Sequence, residues 1–277
     1  MIIDGRKLAD EILANLKKEI KKLPRLTVGA VLVGSSAASI SFLRQKEKFA
    51  KSLGIRFKVF NFSQKITTEK LVREIKKLNE LKTINGIIVQ LPLPKHIKVG
   101  EVLNAINPQK DMDSLSKTPK VLAPTVEAVK FIFKKYKISY KNKNILIVGR
   151  GRLVGQPIYN WLTAQESSRY LMRSKEKIIK TIDIRQTSQL PNLTKKADII
   201  ISGVGKAGLI KGPTIKKDAV LIDFGFDRKN KKISGDFEFE SCAKKAKLIT
   251  PVPGGMGPIM TVMLFRNLLK LNKKSPR

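Results

Sequence analysis

Lys46 is the residue of this sequence whose type and spacing best suit proton transfer. It lies within a stripe of apolar residues at helical spacing, namely Phe42, Leu43, Phe49, Ala50 and Leu53. A lysine on the apolar face of a helix either extends its ammonium group to water or is kept dry enough to exchange protons near neutral pH. The helix alone leaves both interpretations open, because it does not show what else faces the lysine.

Gln90 supplies a second polar group at a defined place. In the segment NGIIVQLPLPKHI, residues 85–97, an apolar strand pattern runs into Gln90 and is followed by Pro92 and Pro94. Proline cannot donate to the hydrogen bonds of a sheet, so the strand must end there. Since ligands of parallel sheets bind beyond the carboxyl ends of the strands, the amide of Gln90 is predicted to face a cleft. A glutamine held by its own loop is the alternative.

Two aspartates follow in the segment NPQKDMDS, residues 107–114. Asp111 and Asp113 are separated by one residue in a predicted turn, so their side chains can point to opposite sides of the chain. One of them can then face the cleft, while the other caps backbone N–H groups of the turn.

Glycines in VGRGRLVGQP, residues 148–157, predict a phosphate-binding turn between a strand and a helix. Gly149, Gly151 and Gly155 would let backbone N–H groups approach a pyrophosphate. Their spacing, G-x-G-x-x-x-G, differs from the dinucleotide fingerprint G-x-G-x-x-G, so a plain glycine turn is the alternative. Arg150 and Arg185 could neutralise a 2′-phosphate, which favours NADP over NAD.

A second loop, TPVPGGMGP at residues 250–258, is rich in glycine and proline. Such a loop lets the backbone approach a flat ligand closely, although a hinge before the last helix explains it equally well.

His96 and Cys242 are the only histidine and cysteine, so the sequence provides neither a disulfide nor a Cys/His zinc site. Both residues are predicted to be non-catalytic, and no metal is predicted.

The charge of the chain is strongly positive. Its 277 residues include 56 lysines and arginines against 22 aspartates and glutamates, a net charge of +34. This excess attracts anions, among which nucleic acids, phosphorylated cofactors and polycarboxylates all qualify. The lysines are spread over polar positions of helical patterns such as LKKEIKKL, without an aromatic-rich platform. That distribution favours a solvated surface over a nucleic-acid site.

Strand and helix patterns alternate along the chain, which predicts an α/β fold with parallel sheets. Strands are predicted at residues 27–33, 56–62, 86–91, 144–149, 181–184, 198–202 and 219–224. Helices are predicted at residues 38–54 (with Ser39 as cap), 67–81, 124–137, 153–179 and 258–271. The domain break is placed near residues 114–123. No apolar stretch reaches the roughly 18 residues of a membrane span and no signal peptide is evident, so a cytoplasmic protein is expected.

In chain order these segments resemble the bifunctional methylenetetrahydrofolate dehydrogenase/cyclohydrolase family. The loops quoted above are joined by further matching segments: IIDGRKLA at 2–9, VGSSAAS at 33–39, LIDFGF at 221–226 and GDF at 235–237. The resemblance covers essentially the whole chain, and its QLPLP and PVPGG segments are the most specific.

The resemblance implies a fold and an activity. The fold is an N-terminal α/β folate domain (1–118, completed by a C-terminal helix at 257–277 that packs back on it) and a Rossmann-like NADP-binding domain (119–256). The activity is oxidation of 5,10-methylenetetrahydrofolate to 5,10-methenyltetrahydrofolate with NADP, followed by hydrolysis to 10-formyltetrahydrofolate. A homodimer acting on tetrahydrofolates is implied as well. The positive charge would favour polyglutamylated forms, and neither a membrane nor a specific nucleic acid is expected as a partner.

Site residues are carried over from the resemblance by position. The catalytic residues would be Lys46, Gln90 and Asp113. The folate-binding residues would be Phe42, Leu91, Pro92, Pro253, Gly254 and Gly255. The NADP-binding residues would be Gly149, Arg150, Gly151, Val154, Gly155, Arg185 and Phe226.

Phe42 departs from the family pattern, which usually has tyrosine there. Ring stacking on the folate survives the change, but the hydroxyl that would orient Lys46 is lost. A monofunctional dehydrogenase with impaired cyclohydrolase is therefore the first alternative, and nucleic-acid binding driven by the charge is a distant one. Gly151 and Arg185 replace usual serines, and the region after Pro157 is about ten residues longer than ordinary βαβ spacing.

Overall fold

Buried parallel strands organise each half of the protein. The structure is a computed structural model that describes residues 1–164, 179–183, 188–229 and 232–273. Its helices are α1 (Gly5–Ile20), α2 (Ala37–Ser52), α3 (Thr68–Glu80), α4 (Val99–Asn104), α5 (Pro124–Lys135), α6 (Gly155–Ala164), α7 (Leu190–Thr194), α8 (Phe239–Ala243) and α9 (Met256–Asn272). Its strands are β1 (Thr27–Val33), β2 (Arg56–Phe62), β3 (Gly86–Val89), β4 (Ile145–Val148), β5 (Ile179–Ile182), β6 (Ile199–Ser202), β7 (Val220–Asp223), β8 (Asp227–Lys229), β9 (Lys232–Ser234) and β10 (Leu248–Ile249).

Contacts within the chain divide it into two compact units, each discontinuous in sequence. The first unit comprises residues 11–124 and 261–277, and the second comprises residues 1–10 and 125–260. The domain boundaries expected from the resemblance remain predictions beside this division.

In the described part of the first unit, β1 is the centre of a three-stranded parallel sheet with the order β2-β1-β3. All the residues of β1 are buried, as expected of a strand that is covered on both faces. Helix α3 covers the sheet because Leu71, Ile75 and Leu78 recur at helical spacing and pack in one cluster with Ile87 and Val89.

The described part of the second unit contains a five-stranded parallel sheet with the order β10-β7-β6-β4-β5. The chain forms β4, adds β5 on one side, and then crosses over to add β6 and β7 on the other side. This reversal opens a crevice at the carboxyl ends of β4 and β6, the place where such sheets bind ligands. The predicted α/β class with a Rossmann-like sheet is confirmed.

The C-terminal helix α9 packs against the first unit, as predicted. Phe265 stacks on Phe49 of α2 with ring centroids 5.5 Å apart. Asn267 is buried, and its Nδ2 donates to the carbonyl oxygens of Met112 at 3.0 Å and Leu122 at 2.8 Å. Helix α9 therefore holds the backbone on both sides of the segment 113–121.

The predicted end of β3 and the predicted N-cap of α2 are wrong. β3 ends at Val89 rather than at residue 91, because Pro92 carries no N–H to continue the ladder. The cap of α2 is Ser36, whose hydroxyl accepts the N–H of Ser39 at 3.4 Å. Ser39 itself is buried in the first turn of the helix.

The region after β4 differs from its prediction. The helix predicted over residues 153–179 is described only to Ala164, and Ile179 belongs to β5. The strand predicted at 181–184 is therefore shifted toward the N-terminus, while residues 165–178 lie outside the described ranges. The prediction extends the helix across the polar segment QESSR, residues 165–169, and is wrong at Ile179, which lies in β5.

Gly86 tests how tightly the first unit is packed. An added Cβ would overlap Met112 Sδ and lie 2.6 Å from Leu268 Cδ1. We expect Gly86→Ala to lower the free energy of unfolding by about 1–3 kcal/mol, because both side chains must shift. Urea denaturation followed by circular dichroism measures the change.

Gly100→Ala is the matched control, since the described residues leave open space around its Cβ in α4. This variant should be neutral or should gain up to about 1 kcal/mol, because alanine favours helix. Equal urea midpoints for the two variants would contradict the packing described for Gly86.

Candidate functional site

Lys46 is held in place by the apolar face of α2. Leu43, Ala50 and Leu53 are buried and fix the rotation of the helix about its axis. Lys46 lies on that same side and is half-buried, with Phe42 half-buried one turn before it. The predicted apolar stripe is therefore confirmed, and Lys46 lies next to it with its side chain partly shielded from solvent.

Gln90 is fixed at the carboxyl end of β3 by its backbone and by its side chain. Its N–H donates to the carbonyl oxygen of Val31 at 2.9 Å, which extends the β1–β3 ladder by one bond. Its Nε2 donates to the carbonyl oxygen of Leu91 at 2.7 Å, and its Oε1 accepts from Lys46 Nζ at 3.1 Å. With 7% exposure, the amide is oriented by the protein rather than by water.

The two aspartates of the 107–114 segment have different surroundings, and Asp111 accepts a backbone N–H as predicted for one of them. Asp111 is fully buried and its Oδ2 accepts the N–H of Ser116 at 2.7 Å, so it holds the turn. Burial raises the pKa of Asp113, the positive charge of Lys46 opposes that rise, and the negative charge of Asp111 adds to it. Asp113 is thus the aspartate that faces Lys46 electrostatically.

The neighbouring predicted residues line the same end of the first-unit sheet. Leu91 is half-buried and Pro92 is exposed, joined by a cis peptide bond. The structure therefore brings Lys46 and Gln90 into contact, and the charge of Lys46 acts on Asp113. Phe42 lies in the helix that carries Lys46, and Leu91 and Pro92 directly follow Gln90.

The glycine loop lies at the crevice of the second-unit sheet. Gly149 has φ +93° and donates its N–H to the carbonyl oxygen of Ile182 at 2.9 Å. A Cβ on Gly155 would overlap the carbonyl oxygen of Gly149, so only glycine lets the start of α6 come this close. Gly151 is exposed and has open space around its Cβ among the described residues. This geometry presents a helix N-terminus and loop backbone to an anion.

Other residues predicted to bind the dinucleotide surround this loop. Arg150 is exposed, and its Nε donates to Thr181 Oγ1 at 2.8 Å. Val154 packs against Gly203, the first residue after β6. Phe226, after β7, is 42% exposed. The predicted residue Arg185 lies outside the described ranges.

The loop at 250–258 is held closely in the second unit. Pro253 follows a cis peptide bond and is exposed, and Gly254 has φ +100°, a conformation that disfavours side chains. A Cβ on Gly255 would overlap the carbonyl oxygen of Pro251. The loop backbone is thus restricted as predicted, while the binding of folate by Pro253, Gly254 and Gly255 remains a prediction.

Two buried carboxylates of the second unit, Asp223 and Asp236, were not among the predicted site residues. Asp223 ends β7, and Asp236 follows β9. Burial and the negative charge of Asp236 raise the pKa of Asp223 to about 7, although hydrogen bonds from the N–H groups of Phe237, Gly225 and Asp236 oppose the rise. Each aspartate lies in a segment that carries the family resemblance, LIDFGF and GDF, but no sequence pattern assigns it a task.

The only histidine and cysteine of the sequence have structural surroundings. His96 Nε2 lies 2.9 Å from the carbonyl oxygen of Ile66. Cys242 is buried, and that burial, together with Glu238, raises the pKa of its thiol to about 12. Among the described residues, no group of three histidine, cysteine or acidic side chains could hold a metal ion, and no helix is long and apolar enough to cross a membrane.

Comparisons with known proteins agree with this geometry. A family profile described as tetrahydrofolate dehydrogenase/cyclohydrolase, catalytic domain, matches residues 3–113. A second profile, described as the NAD(P)-binding domain of the same family, matches residues 123–276. The bifunctional protein FolD of Nautilia profundicola is 37% identical, and the alignment covers 98% of this chain and 97% of the relative.

Two solved structures are similar over nearly the whole chain. The bifunctional methylenetetrahydrofolate dehydrogenase/cyclohydrolase FolD of Campylobacter jejuni has a TM-score of 0.88 and 30% identity, with 98% of each chain covered. The FolD of Trypanosoma brucei, complexed with NADP cofactor and inhibitor, has a TM-score of 0.88 and 29% identity. The alignment covers 98% of this chain and 96% of the Trypanosoma brucei chain.

Gly155→Ala should disturb the crevice, because the added Cβ meets backbone atoms that cannot rotate away. We expect a loss of about 1–3 kcal/mol in the free energy of unfolding, read from thermal or urea denaturation. Gly151→Ala is the control from the same loop, and it should unfold like the wild type. If Gly155→Ala were as stable as Gly151→Ala, the close approach of α6 to Gly149 would be wrong.

Proposed function

Because this chain belongs to the tetrahydrofolate dehydrogenase/cyclohydrolase family, we propose that it oxidises 5,10-methylenetetrahydrofolate with NADP and then hydrolyses the methenyl product to 10-formyltetrahydrofolate. The observation that carries the proposal for this chain's own residues is the 3.1 Å contact between Lys46 Nζ and Gln90 Oε1. A lysine and an amide that converge at the carboxyl end of a parallel sheet can transfer protons to and from a substrate bound there.

The second unit provides the dehydrogenase half with a cofactor site that fits a dinucleotide. Gly155 leaves no room for a side chain between α6 and Gly149, which is the close backbone approach that a pyrophosphate needs. Arg150, held by Thr181, adds positive charge at the edge of the crevice. When bound, NADP accepts the hydride of the methylene bridge, and the chain supplies binding and orientation.

The first unit provides the hydrolytic half with a proton carrier. Water adds to the methenyl carbon and gives up one proton, and the bond from that carbon to one folate nitrogen breaks as the new hydroxyl becomes the formyl carbonyl and releases its own proton to solvent. Two transfers remain for the protein: the proton taken from the attacking water and the proton given to the freed nitrogen. Lys46 can serve both transfers if it is a neutral amine when water arrives and an ammonium afterwards. Gln90 Oε1 accepts a hydrogen bond from either form, so it holds the lysine in place through the cycle.

Asp113 is assigned to the pterin ring. A carboxyl group with a raised pKa near Lys46 can accept N–H groups of the pterin while it avoids a full ion pair with the lysine. Asp111 is occupied with the Ser116 N–H, so the turn presents Asp113 alone of the two. This division supports a substrate-binding role for Asp113 and a structural role for Asp111.

Phe42 favours one second candidate, a dehydrogenase whose cyclohydrolase is impaired. The ring lies one turn before Lys46 in α2 and can stack on a flat ligand. It has no hydroxyl to orient the lysine, so Gln90 is the polar side chain on which the position of Lys46 depends in this proposal. The hydride step needs no such orientation and would continue.

We further propose a cytoplasmic homodimer that acts on tetrahydrofolates, polyglutamylated forms included. The single, buried cysteine suits a reducing compartment, and the net charge of +34 suits polyanionic substrates. Size-exclusion chromatography with light scattering measures the assembly. Values of KM for mono- and polyglutamylated folate at several salt concentrations measure the contribution of charge.

The activity is tested by mixing the folded protein with methylenetetrahydrofolate and NADP. We expect NADPH and methenyltetrahydrofolate to form, followed by formyltetrahydrofolate, as read from absorbance spectra. Folded protein that yields neither NADPH nor methenyl product would overturn the proposal. Supplying methenyltetrahydrofolate directly separates the candidates, because a chain limited by Phe42 would not accelerate its hydrolysis.

Lys46→Met should remove hydrolysis and leave hydride transfer. We expect enzyme-dependent hydrolysis of methenyltetrahydrofolate to fall by about a hundredfold or more, the usual worth of a general acid–base group, while NADPH formation continues. Lys48→Met, an exposed position in the same helix, is the control and should keep both activities. Wild-type hydrolysis by Lys46→Met would exclude the lysine from the proton-transfer step.

A further inference from the structure

Asp236 accepts hydrogen bonds from a whole loop. Among the described residues, its Oδ2 accepts from Ser202 Oγ at 2.6 Å and from the N–H of Val204 at 2.7 Å. Its Oδ1 accepts from the N–H groups of Gly205 at 2.9 Å and Lys206 at 2.8 Å. Three consecutive N–H groups thus converge on one fully buried carboxylate, as they converge on a bound anion elsewhere.

The loop that Asp236 holds forms one wall of the crevice. Residues 203–206 follow β6 directly, at the carboxyl edge of the sheet. A Cβ on Gly203 would lie 2.6 Å from Val154 Cγ1, and a Cβ on Gly149 would lie 3.1 Å from Val204 Cγ2. The loop after β6 and the glycine loop after β4 are therefore in direct contact, and a shift of one moves the other.

Asp223 holds the backbone of Asp236 and its neighbour through hydrogen bonds. Its Oδ1 accepts the N–H groups of Gly225 at 2.7 Å and Asp236 at 3.2 Å, and its Oδ2 accepts that of Phe237 at 3.1 Å. Gly225 immediately precedes Phe226, the exposed ring beside the crevice. The two carboxylates therefore connect the segments after β6, β7 and β9.

We propose that Asp236, supported by Asp223, is a positioning residue of the NADP site, because it fixes residues 203–206 as the wall that faces the glycine loop. The inference rests on the proposed function, since it takes the cofactor to bind at this crevice. An ionised carboxylate suits the task because both of its oxygens only accept, whereas an amide would turn its NH₂ toward N–H donors. Asp236 itself touches no reacting atom.

The test is Asp236→Asn in the full chain. Fluorescence titration gives the Kd for NADPH, and initial rates give KM for NADP and kcat. We expect Kd and KM to rise about tenfold or more, because N–H groups of the loop 203–206 lose an acceptor oxygen, while kcat at saturating NADP falls less than about threefold. A preparation that is merely partly unfolded would lower kcat and leave KM unchanged.

Asp198→Asn is the matched control. Asp198 is a carboxylate at the amino end of β6, the strand whose carboxyl end leads into residues 203–206. It accepts the Asn144 N–H at 2.8 Å and Lys216 Nζ at 2.6 Å, away from the crevice. This variant should bind NADPH like the wild type. Equal weakening in both variants, or an unchanged Kd in folded Asp236→Asn, would overturn the assignment.

Ser202→Ala replaces Asp236→Asn if that variant does not fold. It removes one of the donors of Asp236 and leaves the backbone donors in place. We expect a Kd for NADPH about two- to fivefold higher, and an unchanged Kd would overturn the proposal. A wild-type chain that binds no NADPH would defeat the proposed function as well, whereas wild-type binding with unaffected variants defeats only the role of Asp236.

Discussion

The hydrogen bond from Lys46 Nζ to Gln90 Oε1 is the interaction on which the proposed chemistry of the first unit depends. Its two partners are held independently, the lysine by the apolar face of α2 and the glutamine by the β1–β3 ladder. A group that gains and loses charge keeps its position only if its partner tolerates both states. A neutral amide does so, whereas a carboxylate would bind the ammonium form preferentially.

Much of the fold could be predicted because burial leaves a strong pattern in the sequence. β1 and β2 have the bounds that hydrophobicity predicts, and the strand–helix alternation predicts parallel sheets. Prediction failed where burial and periodicity are short or interrupted. The β8–β9 hairpin and the two-residue β10 are too brief for a pattern, and Ile179 belongs to β5 although the predicted helix extends to it.

Much of the candidate site could also be predicted, since Lys46 and Gln90 each interrupt an apolar pattern. Asp223 and Asp236 could not be assigned in the same way, because an aspartate after a buried strand resembles any turn residue. Their arrangement depends on hydrogen bonds among segments that are distant in sequence. Among the described residues, the two carboxylates accept hydrogen bonds from backbone N–H groups and from the hydroxyl of Ser202.

Helix α9 has a consequence for how the chain is made. Residues 11–124 leave the ribosome well before Phe265 and Asn267 are synthesised, so Phe49 lacks its stacking ring while residues 125–260 are translated. At ordinary elongation rates that interval lasts on the order of ten seconds. The nascent first unit therefore exposes, for that time, the apolar surface that α9 covers in the finished protein.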